Sequence, residues 1–416
     1  MTALQVDPPA AGPLVRLSRA RTAATFAGPA FLVSVGYVDP GNWGTDLAAG
    51  SRYGYALLWV LVAANGMALV LQHLSARLGI ATGRDLAGLL GERLTPARRR
   101  AYAVVALTAM AVTETAEFLG LVVALQLLLG LDLAGSVVLG AAAVVALVAL
   151  GSHRGRWLEK AIFALLGVIA LVYVAELWMA RPGAEVARGL VPGGLDAESL
   201  PVALGILGAV VMPHNLFLHS GLVQSRVQPG LSMRALLRRC TVESTVALNL
   251  ALLVNAAILV MAAAAFHDEG IEVTSLDAAH ETLTPLLGPA AAVLFAVALL
   301  ASGLASSVTG GMASQMVLDG LVRTRRTPPL VVRRLVALVP ATAVLAAGTS
   351  EVGALLATQV VLSLTLPFVV VPLVVLCRDR ALMGDLVVSG RLLWTGGAIA
   401  VLLVALNALG LVALVG

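Results

Sequence analysis

Residues 26–49 read FAGPAFLVSVGYVDPGNWGTDLAA, one apolar stretch that is interrupted in its middle by the sequence DPGN at residues 39–42. The stretch is long enough to cross a bilayer as a helix. Pro40 removes a backbone donor and clashes with the preceding turn, and Gly41 disfavours a helix further. The helix is therefore predicted to break at membrane depth, where non-helical backbone survives only inside protein or beside a wet cavity. Because a carboxylate is costly at that depth, Asp39 indicates a functional site.

A second break of the same kind lies almost half the chain later, where the sequence MPHN occupies residues 212–215. Pro213 is predicted to interrupt this apolar stretch as Pro40 interrupts the first. Two proline-interrupted spans in matching places of two halves are a sequence signature of a transporter binding site.

The composition is that of a polytopic helical membrane protein. Of the 416 residues, 59% are hydrophobic and 12% are charged, and the mean hydropathy is +0.96. A soluble domain carries about twice that charged fraction. The net charge of +4 does not indicate a nucleic-acid partner, because the basic residues fall in short clusters between spans, as membrane orientation requires. The sequence shows no obligatory protein partner.

At about 20 apolar residues per span, the sequence predicts eleven membrane-crossing helices. Their ranges are 25–49, 54–77, 101–129, 133–151, 157–180, 199–225, 240–265, 286–318, 331–349, 352–376 and 391–415. The predicted organisation is a cytoplasmic tail at 1–24, a five-helix repeat at 25–180, a second five-helix repeat at 199–376 and an additional helix at 391–415.

The distribution of Lys and Arg predicts the orientation. With the N-terminus inside the cell, 24 of the 27 basic residues lie on the cytoplasmic side, and only Arg52, Arg181 and Arg188 lie outside. The chain is therefore predicted to be a multi-pass protein of the cell membrane, with its N-terminus in the cytoplasm and its C-terminus outside. Since five spans separate the two breaks, the broken helices run in opposite directions, and the two repeats are inverted relative to each other.

The residues around the first break offer oxygen ligands for a cation. Asp39 and Asn42 supply two side-chain oxygens, and unwinding exposes carbonyls such as that of Gly36 or Tyr37. The carbonyl end of each first half-helix also favours a cation at the midplane. The alternative for Asp39 is a structural carboxylate that caps the second half-helix.

The second break adds a softer ligand. Met212 offers a thioether, and Pro213 frees the carbonyl of Ala209 or a neighbour. Oxygen with one soft ligand favours a transition-metal dication over the hard ions Mg²⁺ and Ca²⁺. The alternative for Met212 is core or lipid-facing filler, the usual role of a membrane methionine.

Several other polar residues lie inside predicted spans. His214 suits a proton relay or gate, with a buried structural histidine as an equal alternative, whereas His219 favours the structural reading. Glu114 and Glu117 share a face of the third helix and predict either a proton path or a buried ion pair. Gln359 either closes the site or forms an interhelical hydrogen bond.

The outer loop between the seventh and eighth helices is acidic and holds no Lys or Arg. Its charged and histidine residues are His267, Asp268, Glu269, Glu272, Asp277, His280 and Glu281. The loop is expected to be an ordinary solvated segment, with a cation funnel as the alternative.

These stretches resemble the Nramp family of proton-coupled divalent-metal transporters, specifically its bacterial manganese-uptake (MntH-type) branch. The resemblance rests on GYVDPGNWGTDLAAGSRYGYALLWV around the first break and VVMPHNLFLHSGLVQSR around the second. TAEFLG, LLASG, SVTGGMASQ and QVVLSLTLPF in the third, eighth and tenth helices support it. The pairing of DPGN with MPHN is highly specific.

The resemblance implies an all-α, LeuT-like fold of two inverted five-helix repeats, and a transporter rather than an enzyme. It implies that the metal, Mn²⁺ and also Fe²⁺ and similar ions, is a transported substrate, that H⁺ is the coupled ion and that no cofactor is needed. The implied metal ligands are Asp39, Asn42, Met212, the carbonyls of Gly36 and Ala209, and Gln359. The implied proton pathway consists of Asp39, His214, Glu117, Glu114, Arg226 and Arg334.

The chain departs from the family pattern in two places. Glu114 stands where the family usually has Asp, and Leu304 and Ala305 replace Gln and Ser. Met212 argues against the magnesium-carrying relatives, which lose this ligand.

Three other functions are less compatible with the sequence. A proton- or sodium-coupled amino-acid symporter of the same fold would have to place its anionic substrate beside Asp39 and Met212. An intramembrane enzyme would need a metal-binding His pair or a nucleophile with its base, and neither pattern appears. A channel would need a continuous pore lining rather than two midplane breaks.

Overall fold

The computed structural model describes residues 29–153, 155–227, 230–323 and 330–415. In these ranges the chain is helical, with turns and loops but no strand. The predicted cytoplasmic tail, residues 1–24, lies outside the described residues.

The first half of the chain contains the first broken helix and four long helices that follow it. Its elements are α1 (Pro29–Ser34), a 3₁₀ turn (Val35–Val38), α2 (Pro40–Tyr53), α3 (Leu58–Thr82), α4 (Leu86–Arg93), α5 (Pro96–Leu129), α6 (Leu133–His153) and α7 (Gly155–Ala180).

The second half begins with a short helix, α8 (Val186–Gly189), and then the second broken helix, α9 (Ser199–Val211) and α10 (Pro213–Leu222) with a 3₁₀ turn (Val223–Arg226). The later elements are α11 (Met233–Ala262) with a π-helical turn (Ala263–His267), α12 (Leu276–Leu287), α13 (Pro289–Val317) with a π-helical turn (Leu318–Val322), α14 (Leu330–Ala337), α15 (Val339–Ala346), α16 (Glu351–Cys377), α17 (Arg380–Met383), a 3₁₀ turn (Gly384–Leu386) and α18 (Gly390–Val415).

The helix breaks where the sequence predicts the first interruption. Asp39 has extended backbone (φ −79°, ψ 164°), and its carboxylate accepts the backbone N–H of Asn42 at 2.9 Å as the cap of α2. Pro40 is the first residue of α2, where its missing N–H costs nothing. For the same reason, the carbonyl four residues earlier, that of Gly36, has no α-helical donor. The break is therefore caused by the local sequence, and the carboxylate of Asp39 stabilises it.

The second break repeats this arrangement with a strained residue at its centre. Met212 lies between α9 and α10 with φ 41° and ψ 105°, and its N–H donates to the carbonyl of Gly208 at 3.3 Å. Pro213 begins α10 and leaves the carbonyl of Ala209 without its helical donor. A positive φ at a residue with a side chain costs on the order of 1–3 kcal/mol and is typical of functional sites.

Helices occur in all eleven segments that were predicted to cross the membrane, although several ends differ by a few residues and two segments are divided between two helices. The predicted span 286–318 begins inside α12, because the chain turns at Gly288 and Pro289 starts a new helix. The predicted span 331–349 is two helices that meet at Leu338. By length and composition, seven of the described helices can cross a membrane, and two shorter apolar helices accompany them. The number of crossings thus stays a prediction.

Candidate functional site

The two breaks meet at one residue of α16, Gln359. A Cβ atom at Gly41, in the first break, would collide with the Gln359 amide and would lie 3.3 Å from Asp39 Oδ2. A Cβ atom at Gly208, one turn before Met212, would collide with the backbone carbonyl of Gln359. Only glycine at these two positions allows the broken helices to approach α16 so closely. The first break therefore contacts the side chain of Gln359, and the second broken helix contacts its backbone.

Asn215 joins the breaks a second time. Its side chain packs on Gly36, where a Cβ atom would lie 2.6 Å from Asn215 Nδ2. The same nitrogen donates to the sulfur of Met212 at 3.3 Å. Asn215 thereby orients the thioether of Met212 from the same helix turn. The thioether lies beside the carbonyl of Gly36, which has no α-helical donor because of Pro40.

Two of the carbonyls in the first break are already occupied. The carbonyl of Tyr37 accepts Asn42 Nδ2 at 2.5 Å and Asn255 Nδ2 at 2.7 Å. The carbonyl of Val38 accepts the hydroxyl of Ser302 at 2.5 Å. Since a carbonyl has two lone pairs, Tyr37 is saturated. Of the two carbonyls that the sequence left open, Gly36 is the one that remains for a ligand.

Three of the predicted metal ligands have a buried side-chain oxygen with no hydrogen-bond partner among the described residues. These oxygens are Asp39 Oδ2, Asn42 Oδ1 and Gln359 Oε1, and all three side chains are at most 1% exposed. The Asn42 amide is held by its nitrogen, so its oxygen must face the other way. Because buried polar atoms are almost always paired, three unpaired acceptors in one place indicate a site for a cation.

The donor set differs from common protein metal sites. The described residues contain no group of three or more His, Cys, Asp or Glu that could hold a metal. One carboxylate, two amide oxygens, a thioether and two proline-freed carbonyls are present instead. This mixed set suits a dication that tolerates sulfur, such as Mn²⁺ or Fe²⁺, better than Mg²⁺.

His214 lies next to the second break and contacts α5. It is fully buried, and its Nδ1 lies 3.2 Å from the hydroxyl of Thr113. That hydroxyl donates its hydrogen to the carbonyl of Ala109 at 2.9 Å. Nδ1 must therefore be the donor toward Thr113, and Nε2, which has no partner in the described part of the chain, is free to accept a proton.

The two glutamates predicted for the proton route follow Thr113 on α5 and face α13. The Glu117 carboxylate lies over Gly310, where a Cβ atom would be 2.6 Å from Oε1. Glu114 accepts the hydroxyl of Ser314 at 2.6 Å. His214, Thr113 and the two carboxylates therefore lie where α10 and α13 pack on α5.

The remaining residues singled out in the sequence lie outside the contacts described so far. Arg226 ends the 3₁₀ turn after α10 and lies within electrostatic range of Glu243 on α11. Arg334 falls within α14, but its side chain lies outside the described residues. At the second departure from the family pattern, Ala305 is buried against Val35, so an apolar contact stands at a position where the family commonly has a polar residue.

His219 forms an internal hydrogen bond, as its favoured reading predicted. Its Nδ1 lies 2.6 Å from Gln72 Oε1, and Gln72 Nε2 donates to the hydroxyl of Tyr37 at 2.7 Å. In the acidic outer loop, Glu272 forms an ion pair with Arg52 at 2.8 Å. Both contacts brace the first broken helix.

Two residues of the site were not predicted from the sequence. Thr113 is four residues before Glu117 and therefore on the same helical face, a signal that could have marked it. Asn215 belongs to the MPHN sequence itself, but its packing on Gly36 depends on the tertiary fold.

Comparison with known proteins identifies the family to which the chain is similar. The family model for Nramp, described as natural resistance-associated macrophage protein-like, matches residues 30–413. The chain is 43% identical over 404 residues to the divalent metal cation transporter MntH of Brucella suis, covering 94% of this chain and 88% of the relative. The crystal structure of the Eremococcus coleocola manganese transporter, in complex with an aromatic bis-isothiourea substituted compound, matches with 31% identity and a TM-score of 0.84. The match covers 94% of this chain and 88% of that one.

A more distant structure shares the fold alone. Mhp1, a nucleobase-cation-symport-1 family transporter, matches with a TM-score of 0.60 and 19% identity over 93% of this chain and 90% of its own. With the manganese transporter, it confirms the predicted LeuT-like fold class.

Proposed function

Because the chain belongs to the Nramp family, we propose that it imports divalent transition-metal ions, Mn²⁺ and also Fe²⁺ and similar ions, by proton-coupled alternating access. The relatives named as a divalent metal cation transporter and a manganese transporter support this function. The observation that carries it is the set of three unpaired buried oxygens between the two breaks. The metal is cargo of a transporter and not the cofactor of an enzyme.

The proposed metal ligands are the unpaired oxygens of Asp39, Asn42 and Gln359, the thioether of Met212, and the carbonyls of Gly36 and Ala209. Each side chain is buried beside a break, and each carbonyl lies four residues before a proline. A dication that binds here supplies the interactions that the unpaired oxygens lack. Few existing hydrogen bonds have to break for it to bind.

Met212 is the proposed selectivity element. Ca²⁺ and Mg²⁺ prefer sites made only of oxygen, whereas a thioether binds softer transition metals. The sulfur is held within its helix turn by Asn215, so a hard ion entering the site meets a poor ligand that cannot easily rotate away.

The proposed proton pathway begins at Asp39 and His214 and continues inward through Glu117 and Glu114. Thr113 links the imidazole to α5 through Nδ1 and so leaves Nε2 as the nitrogen that can take up a proton. Arg226, and Arg334 by family resemblance, are proposed for the cytoplasmic end.

We also propose the orientation and repeat organisation predicted above. The chain is a multi-pass membrane protein of the cell membrane, as its family is, with its N-terminus in the cytoplasm and its C-terminus outside. Residues 25–180 and 199–376 form the two inverted repeats, and 391–415 the additional helix. The alternation of Lys and Arg between loops supports this arrangement.

The test is Mn²⁺ uptake into proteoliposomes with internal pH recorded, at matched and inward-acid gradients and with excess Ca²⁺. We expect uptake that resists Ca²⁺, quickens with external acid and is abolished by Asp39→Ala. Asp277→Asn, which removes an exposed carboxylate in the first turn of α12, is the matched control and should transport normally. Uptake that is indifferent to Asp39, or absent from well-folded protein, would contradict the proposal and favour the amino-acid symporter.

A further inference from the structure

The last helix, α18, buries one narrow stripe of residues that contains a single polar side chain. Among its described side chains, the buried residues are Gly396, Ala400, Leu403, Asn407 and Gly410, at alternating spacings of four and three. Most of its other side chains are exposed. An amide that is buried in such a stripe must find its hydrogen-bond partners inside the protein, so the partners of Asn407 indicate its role.

Asn407 connects α18 to one residue of α16, Ser363. Its Nδ2 donates to the carbonyl of Ser363 at 3.0 Å and, within its own helix, to the carbonyl of Leu403 at 2.8 Å. Its Oδ1 accepts the hydroxyl of Ser363 at 3.1 Å. Both hydrogens of the amide and its oxygen are therefore in use, whereas the amide oxygen of Gln359 is unpaired. Asn407 is thus arranged to hold α16 and not to bind an ion.

The carbonyl of Ser363 needs a partner from outside because α16 contains a proline. Pro367 lies inside the helix, four residues after Ser363, and has no N–H to donate to that carbonyl. A proline inside a helix also bends the helix at this place. Since an unpaired backbone group is costly at membrane depth, Asn407 supplies from α18 the donor that α16 lacks. The hydrogen bonds therefore fix the bend in one geometry.

The turn of α16 that Asn407 holds is the turn that carries Gln359. Ser363 is four residues after Gln359, so its N–H is the helical donor to the Gln359 carbonyl. A Cβ atom at Gly208 of α9 would collide with that carbonyl and would lie 2.8 Å from the nitrogen of Ser363. A Cβ atom at Gly410 of α18 would collide with the side chain of Leu204 on α9. This turn is therefore contacted by α9 and by α18, which also contact each other.

We propose that Asn407 is a positioning residue of the metal site: by fixing the proline bend of α16, it sets the position of the Gln359 oxygen relative to Asp39. This inference rests on the proposed import function, in which Gln359 is a metal ligand. It gives the additional helix, which lies outside the two predicted repeats, a part in metal binding although it contributes no proposed ligand.

The test compares Mn²⁺ binding to purified full-length protein, measured by calorimetry, in wild type and in Asn407→Leu, which keeps a similar volume without hydrogen bonds. We expect the Kd to rise about 10-fold, the usual effect of removing a group that orients a metal ligand. Thr395→Val is the matched control on α18, because this exposed hydroxyl donates only to its own helix, to the carbonyl of Leu392 at 3.0 Å. The control should leave the Kd unchanged.

Two backgrounds distinguish positioning from a general loosening of the fold. In Gln359→Ala the ligand is already gone, so adding Asn407→Leu should not raise the Kd further. Pro367→Ala restores a backbone N–H, so the carbonyl of Ser363 regains its helical donor. Adding Asn407→Leu to Pro367→Ala should therefore raise the Kd less than it does in wild type. A general loosening would raise the Kd by the same factor in every background.

The proposal is overturned if Asn407→Leu leaves the Kd unchanged, or if it raises the Kd equally with and without Gln359→Ala or Pro367→Ala. If Asn407→Leu does not fold, Ser363→Ala removes one of the two hydrogen bonds between α16 and α18. It should give a smaller rise in the Kd that disappears in Gln359→Ala, and an unchanged Kd would overturn the proposal. In each of these cases import by wild type stands. Absence of Mn²⁺ uptake by well-folded wild type would instead overturn the import function.

Discussion

Replacing Gly41 by Ala tests whether Gln359 is a metal ligand without removing any ligand. The new Cβ would lie 2.7 Å from Gln359 Cδ and even closer to the amide nitrogen, whereas ordinary contact begins at 3.4 Å. The amide must therefore retreat by at least 0.7 Å, several times the roughly 0.2 Å that a metal–ligand bond tolerates. Losing one oriented ligand costs about 10-fold or more in metal affinity. We expect that loss in Mn²⁺ binding to the purified protein, measured by calorimetry.

The matched control is Gly66→Ala on α3, where a Cβ atom meets nothing within 4 Å, and affinity should be unchanged. The decisive comparison is a double-mutant cycle with Gln359→Ala. If Gly41→Ala acts only by displacing the amide, it should have no further effect once the amide is gone. If the losses of Mn²⁺ affinity add in the double variant, this reasoning is refuted. Gly41→Ala would then act by displacing Asp39 or the backbone of the break.

Three further changes test the remaining roles. Met212→Ala should keep some Mn²⁺ uptake but admit Ca²⁺ and Mg²⁺; unchanged selectivity in competition uptake would rule out the ligand role. Glu117→Gln should lower proton influx, recorded with an internal pH dye, more than Mn²⁺ binding, and normal acidification during uptake would remove it from the route. Thr113→Val leaves the Nδ1–H of His214 without its acceptor and should lower proton influx. The control Thr115→Val loses only a hydrogen bond to its own helix at 2.7 Å and should leave proton influx unchanged. Equal effects of the two substitutions would exclude a specific proton relay through Thr113.

The positions of both breaks could be predicted from the sequence because their cause is local. A proline deprives the carbonyl four residues earlier of its donor whatever the rest of the chain does. The choice between Gly36 and Tyr37 could not be predicted in this way. It depends on Asn255, which is 218 residues away from Tyr37 along the chain and saturates its carbonyl. No periodicity within one helix reports such a contact.

The same distinction separates the ligands from the residues that hold them. Asp39 was predictable because an ionisable group at membrane depth is conspicuous in any sequence. Thr113 carries a weaker signal, its place on the same helical face as Glu117, because a threonine in an apolar helix usually bonds only to its own backbone, as Thr115 does. Its relevance follows from the approach of His214, which is a property of how α10 packs on α5.

Amides at two of the ligand positions let the site form before a metal is present. Asn42 uses its nitrogen to hold the carbonyl of Tyr37 and so keeps its oxygen free, and Gln359 donates to Thr358 at 3.2 Å while its own oxygen is unpaired. A carboxylate at either position could not donate, and it would add a second buried charge beside Asp39, at a cost of several kcal/mol. The amides therefore orient two oxygens toward the cation while Asp39 alone supplies the charge that a proton or a metal can neutralise.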